Sequence, residues 1–188
     1  TNFQELAPID IQLLKTKNIP REYMEEYGYN EQQVNNSYIS IEDDLKSVGF
    51  NINDYYKDIV DINTYTTNEL TVRSTLGSAY EEVYKKYPFM TYDAIEEIVT
   101  VSDYNKVAKL LGLDTYTIDS DEYLVIADYD NMVDVRNMAL ELETPITIDG
   151  KTYYPKYDKC MYGFLEISNS HINDGVFIVP DSAVSNLT

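Results

Sequence analysis

Glu96-Glu-Ile-Val-Thr-Val-Ser-Asp-Tyr-Asn-Lys106, continued by Val107-Ala-Lys-Leu-Leu-Gly112, decides the fold of this chain. Ile98, Val99 and Val101 are β-branched and favour a pleated, packed backbone. Ser102 then offers a hydroxyl that can accept from the unpaired amides of a first helical turn, and Gly112 can take the left-handed geometry that ends a helix. The stretch predicts a buried strand delivering the chain to a capped helix over 102–111.

The pattern extends on both sides. Tyr123-Leu-Val-Ile126 is nearly continuous in apolar character and predicts a strand over 122–127. A helix over about 131–141 follows, with Met132, Val135, Met138, Ala139 and Leu142 as its apolar stripe and Asp130 as its cap. Asp149-Gly150, between 145–148 and 151–154, is a two-residue hairpin signal because both turn positions need positive φ. Tyr162–Ile167 and Val176–Val179 read as strands, Pro180 ends the ladder, and Asp181 or Ser182 starts a short terminal helix. Upstream, Thr66 and Glu69 have capping-box spacing for a helix over 67–87, with Leu76, Tyr80, Val83, Tyr84 and Tyr87 on one face and Pro88 as its stop.

The first sixty residues are less regular. Ile9, Ile11 and Leu13 alternate as in a half-buried strand; residues 20–38 read as a helix and loop, Tyr38–Ile41 as a short strand, and Glu42–Val48 as a short helix that Gly49 ends. Asp54–Tyr65 reads as a further strand. Strand, helix, strand, helix and a run of strands predict an α+β fold, a mixed β-sheet with helices packed on one face. Two lobes are expected, 1–92 and 93–188, parting at Pro88–Asp93, unless the chain forms one continuous domain. A chain of 188 residues is long enough to bury a core in either case.

Asp and Glu number 33 against 14 Lys and Arg, a net charge of −19. At 44% hydrophobic content the chain is too apolar for a disordered acidic segment, so the charge belongs to a folded surface. Such a surface repels nucleic-acid phosphates and anionic headgroups and steers cationic partners inward. Nineteen tyrosines and no tryptophan accompany it; Tyr55-Tyr56, Tyr153-Tyr154 and the Tyr84/Tyr87 pair are as compatible with half-buried packing as with recognition.

Chemistry-bearing motifs are sparse. Cys160 is the lone cysteine and His171 the lone histidine, so no intramolecular disulfide and no zinc-ligand spacing exists. Cys160 with His171 would be the one available thiolate pair, and nothing around either resembles a nucleophile turn. Asp119, Asp121, Glu122, Asp128, Asp130 and Asp134 are the densest potential metal ligands, but no glycine marks a calcium-loop turn and the strand 122–127 divides them. They read as loop carboxylates and a helix cap, with Asp128-Tyr-Asp130 left as a weak calcium candidate. Neither phosphate-binding glycine motif occurs among the seven glycines. The expectation is a non-enzymatic protein with no catalytic residues, no cofactor and no metal.

Val101-Ser-Asp-Tyr-Asn-Lys106, Leu110-Leu-Gly112, Asp121-Glu-Tyr-Leu-Val-Ile126, Ile148-Asp-Gly-Lys-Thr-Tyr153 and Phe177-Ile-Val-Pro-Asp181, in this order and spacing, resemble the large extracellular domain of FtsX-like ABC-transporter permeases of the bacitracin and lantibiotic resistance type. The resemblance covers residues 96–188. It implies a recognition domain on the extracellular face of a Gram-positive cell membrane, part of a larger membrane protein whose transmembrane helices flank it. Its implied partners are a cationic antimicrobial peptide or that peptide's complex with a lipid carrier, an ATPase subunit and a sensor histidine kinase. No binding residue follows from the resemblance, because none of the matching motifs is a binding motif. The alternatives are a stand-alone secreted or surface protein binding through an acidic, tyrosine-rich surface, and a hydrolase with a cryptic carboxylate pair.

Overall fold

The chain divides into two compact units, Thr1–Ile59 and Val60–Thr188. The computed structural model describes residues 60–165 and 175–187, together with Gly49. The elements expected before residue 59 lie outside the described residues. Of the strand expected over Asp54–Tyr65, residues 60–64 carry no regular structure and Tyr65 makes a single antiparallel bridge to Ile98.

In chain order the elements among the described residues are α1 (Val72–Leu76), α2 (Tyr80–Lys86), β1 (Glu97–Thr100), α3 (Val101–Leu111), β2 (Glu122–Ile126), α4 (Asp130–Leu140), β3 (Ile146–Ile148), β4 (Lys151–Pro155) and β5 (Val176–Val179). A 3₁₀ turn, Gly77–Ala79, joins α1 to α2, and another, Asp181–Val184, follows β5. The fold is α+β. Among the described residues a mixed sheet of order β1-β5-β2-β4-β3 carries it, with β1/β5 and β2/β4 parallel and β2/β5 and β3/β4 antiparallel. The strand–helix–strand unit at 96–127 is therefore no simple crossover, because β5 inserts between β1 and β2.

Sheet side chains alternate between two cores. Ile98, Tyr123, Val125, Phe177 and Val179 meet Leu140 of α4 and Ala183 and Val184 of the terminal turn on one face. Val99, Leu124, Ile126, Val176 and Ile178 meet Tyr104 and Ala108 of α3 on the other. Helices thus cover both faces, where one was expected, because β1, β2 and β5 are apolar at consecutive positions and neither face can be left wet. A third core joins α4 to α1 and α2 through Met132, Val135, Ala139, Val72, Leu76 and Val83. The expected parting at Pro88–Asp93 falls inside the second unit, where amides of Val72 and Arg73 donate to the carbonyls of Ala94 and Tyr92.

Several caps differ from expectation. α3 is capped by Thr100, whose hydroxyl accepts from the Asp103 amide at 3.2 Å, while Ser102 donates its amide and hydroxyl to the Asp181 carboxylate. Gly112 ends α3 in the left-handed region as expected, at φ 71°. The helix expected over 67–87 starts at Val72 and breaks at Gly77; Thr71 and Ser74 form its capping box, in place of Thr66 and Glu69. Glu69 is used elsewhere, its carboxylate accepting from the Asp149 amide at 2.7 Å and the Gly150 amide at 3.4 Å. That hairpin turn has positive φ at both residues, 50° and 74°. α4 begins one residue early with Tyr129 as its cap residue, so Asp130 sits inside the first turn, near its amides. Residues 162–165 are not a strand; only Met161 bridges to Ile126.

Candidate functional site

The third core carries an aromatic outer face. Tyr80 and Tyr84 stand four residues apart on α2, on one side of the helix. The loop after Pro88 turns back, and Tyr92 comes to lie against both rings, 5.3 Å from Tyr80 edge-on and 5.8 Å from Tyr84. Tyr80 and Tyr84 are 5.9 Å apart, so the three rings form one continuous surface. The loop is held in place by Tyr92, whose hydroxyl donates to the Tyr87 carbonyl at 2.6 Å. Tyr80 and Tyr92 pack against the core beneath, Tyr84 stays 45% exposed, and Phe89 at the loop tip is 99% exposed.

Charge is arranged around this face. The Arg73 guanidinium of α1 lies 4.4 Å above the Tyr80 ring. An open hollow of about 540 Å³, lined by Thr71, Arg73, Ser74, Ser78, Tyr80 and Glu81 among others, adjoins it. Lys85 pairs with Glu82 at 3.0 Å. Lys86 and the Tyr87 hydroxyl both donate to Asp134 Oδ2 at 2.6 Å, pinning α2 to α4. Hydrogen bonds from Lys86 and then Tyr87 hold the Asp134 carboxyl below its ordinary range, and the same bond raises the Lys86 ammonium. The face offers groups suited to association: π faces, a hydrophobic tip and carboxylates.

Two of the acidic side chains between Asp119 and Asp134 are engaged apart from one another. Glu122 turns back to accept from the Asp119 amide at 2.8 Å, Asp134 is spent on Lys86 and Tyr87, and β2 separates 119–122 from 128–134. Among the described residues no three acidic, histidine or cysteine side chains gather as a metal site. Cys160 packs against the first core beside Asn137 of α4, where burial pushes its thiol up to about 12, so it is not a thiolate at neutral pH. His171 lies outside the described residues.

One buried constellation was missed by sequence reasoning. Arg136 of α4 makes a two-pronged ion pair with Glu96, 2.8 Å and 2.7 Å, and its guanidinium lies 5.2 Å over the Phe177 ring. A single arginine between Val135 and Ala139, in an otherwise apolar stripe, was the available signal. The aromatic face was half legible. The Tyr80/Tyr84 spacing marks a helix face, but Tyr92 joins it only through the loop, and Tyr84 proves to be an exposed ring. No helix among the described residues is long and apolar enough to cross a membrane. The comparisons with known proteins give no relative: no family model, no curated protein and no solved structure matches the chain.

Proposed function

We propose that this chain is a non-enzymatic recognition domain, the extracellular part of an FtsX-like ABC-transporter permease, and that it binds a cationic peptide. The observation that carries the reading is a solvent-exposed aromatic face on a protein of net charge −19. Long-range attraction gathers cationic peptides, and exposed rings give them something to rest on. The stretches that carry the resemblance also fall on separate ordered elements: α3 with its glycine stop, β2, the β3–β4 turn, and β5 with the Asp181 cap. On this reading binding is coupled to a change in the membrane part, and ATP is hydrolysed by a separate subunit.

The test has two arms. The 188-residue chain should bind an arginine-rich peptide with micromolar or weaker affinity at low salt, and binding should fade towards physiological salt, where the screening length is roughly 8 Å. A neutral peptide of the same length should bind less. In the genome, the reading frame should encode apolar spans of roughly 20 residues on both sides of this segment. Equal binding of cationic and neutral peptides would defeat the charge argument. A reading frame without such spans would favour a stand-alone surface protein.

A further inference from the structure

We infer that the Tyr80–Tyr84–Tyr92 face is a cation-accepting site in which Arg73 holds the place of an arginine or lysine side chain of the bound peptide. The inference rests on the peptide-recognition reading above and specifies its contact. A tyrosine ring attracts a cation within about 6 Å of its centroid through the negative potential of its face. Arg73 already uses this attraction, at 4.4 Å over Tyr80. Among the described residues it makes no ion pair, so the ring is what orients its guanidinium.

The adjacent ring is built for the same contact. Tyr84 is 45% exposed, braced by Tyr80 and Tyr92, and therefore loses little freedom when a ligand settles on it. The neighbouring lysines do not compete for it, since Lys85 is held by Glu82 and Lys86 by Asp134. Phe89, on the loop that also supplies Tyr92, adds an apolar contact for a neighbouring residue of the peptide. Glu81 lines the hollow beside Arg73 and offers a carboxylate to a displaced or incoming cation. Charge favours a cationic occupant: the chain carries −19, Glu81 lines the hollow, and the Arg73 guanidinium is turned onto the Tyr80 ring.

Arg73 then acts as a built-in competitor, and its removal has an unusual sign. Hexa-arginine binding to the 188-residue chain at low salt is the readout, followed by fluorescence anisotropy. Arg73→Gln should tighten binding about two- to five-fold, and Tyr84→Leu should weaken it by a similar factor, the range for an exposed cation–π contact. Phe89→Ser should also weaken it. Lys109→Gln on α3 removes the same charge away from the rings and should give a smaller gain than Arg73→Gln. Ring resonances of Tyr80, Tyr84 and Tyr92 should shift on titration of the unmodified chain, a readout that survives if a variant fails to fold. A gain with Arg73→Gln no larger than with Lys109→Gln, an unaltered affinity in Tyr84→Leu, or ring shifts confined to other tyrosines would overturn the site. Salt-sensitive binding that ignores these variants would leave the recognition reading standing without this site, whereas no binding by the unmodified chain would remove both.

Discussion

Arg136 and Glu96 meet through two parallel hydrogen bonds, 2.8 and 2.7 Å, with side chains only 3% and 4% exposed. Glu96 stands just before β1 and Arg136 in the middle of α4, so the pair ties the outer helical layer to the sheet edge. Thr75 of α1 joins it by accepting from Arg136 at 3.3 Å. Truncating one partner leaves the other charge buried, which costs about 3–5 kcal/mol, whereas replacing both by apolar groups is often close to neutral. Arg136→Met and Glu96→Leu should each lower the urea midpoint severely, and the double variant should recover much of the loss. Additive losses in the double variant would show that the two side chains act independently.

Asp134 makes stability depend on acid. Its carboxyl is held below the ordinary range by Lys86 and Tyr87, so it binds protons less readily folded than unfolded. Its stabilising effect is present above the unfolded value, about 3.9, and is lost as pH falls through the lower folded one. The thermal midpoint of Asp134→Asn should fall below that of the unmodified chain at pH 7, and the gap should close below about pH 4. A gap independent of pH would assign the effect to shape.

Tyr104 and Gly163 form a tight pair. A methyl group at Gly163 would lie inside contact distance of the Tyr104 hydroxyl, which is buried and, among the described residues, has no hydrogen-bond partner. Gly163→Ala should cost about 1–3 kcal/mol by overpacking. Tyr104→Phe removes an unsatisfied hydroxyl and should be neutral or stabilising, by up to about 1 kcal/mol. Combined, the two changes should cost less than their sum, which urea unfolding of the four proteins measures.

Cys160 should be silent towards thiol reagents in the folded chain. With the thiol pushed up to about 12 by burial, almost no thiolate exists at pH 8. Iodoacetamide should label it slowly in buffer and rapidly in urea. Fast labelling of the folded protein would show an accessible, acidic thiol.

The local elements of residues 96–155 and 176–184 were legible because their signals are contained in neighbouring residues. A β-branched run, a glycine able to take positive φ, and Asp149-Gly150 at a hairpin each act on their own backbone, and α3, β2, α4, the β3–β4 turn and β5 all appear where these signals stand. Caps were less legible because several hydroxyls and carboxylates lie within reach of one helix start. Thr100 takes the amide of α3 that Ser102 was expected to serve, and Asp181 reaches Ser102 from 79 residues away.

By itself the sequence determined an acidic, tyrosine-rich α+β chain with a mixed sheet. Only the tertiary structure decided that β5 enters between β1 and β2, that helices cover both faces, and that Glu96 finds Arg136. It also decided that Tyr92 closes the ring surface of Tyr80 and Tyr84. The physical reason is range. Periodicity and turn chemistry are felt over one or two turns of chain, while strand order, paired buried charges and ring clusters arise from side chains tens of residues apart, which meet only when apolar faces are forced together.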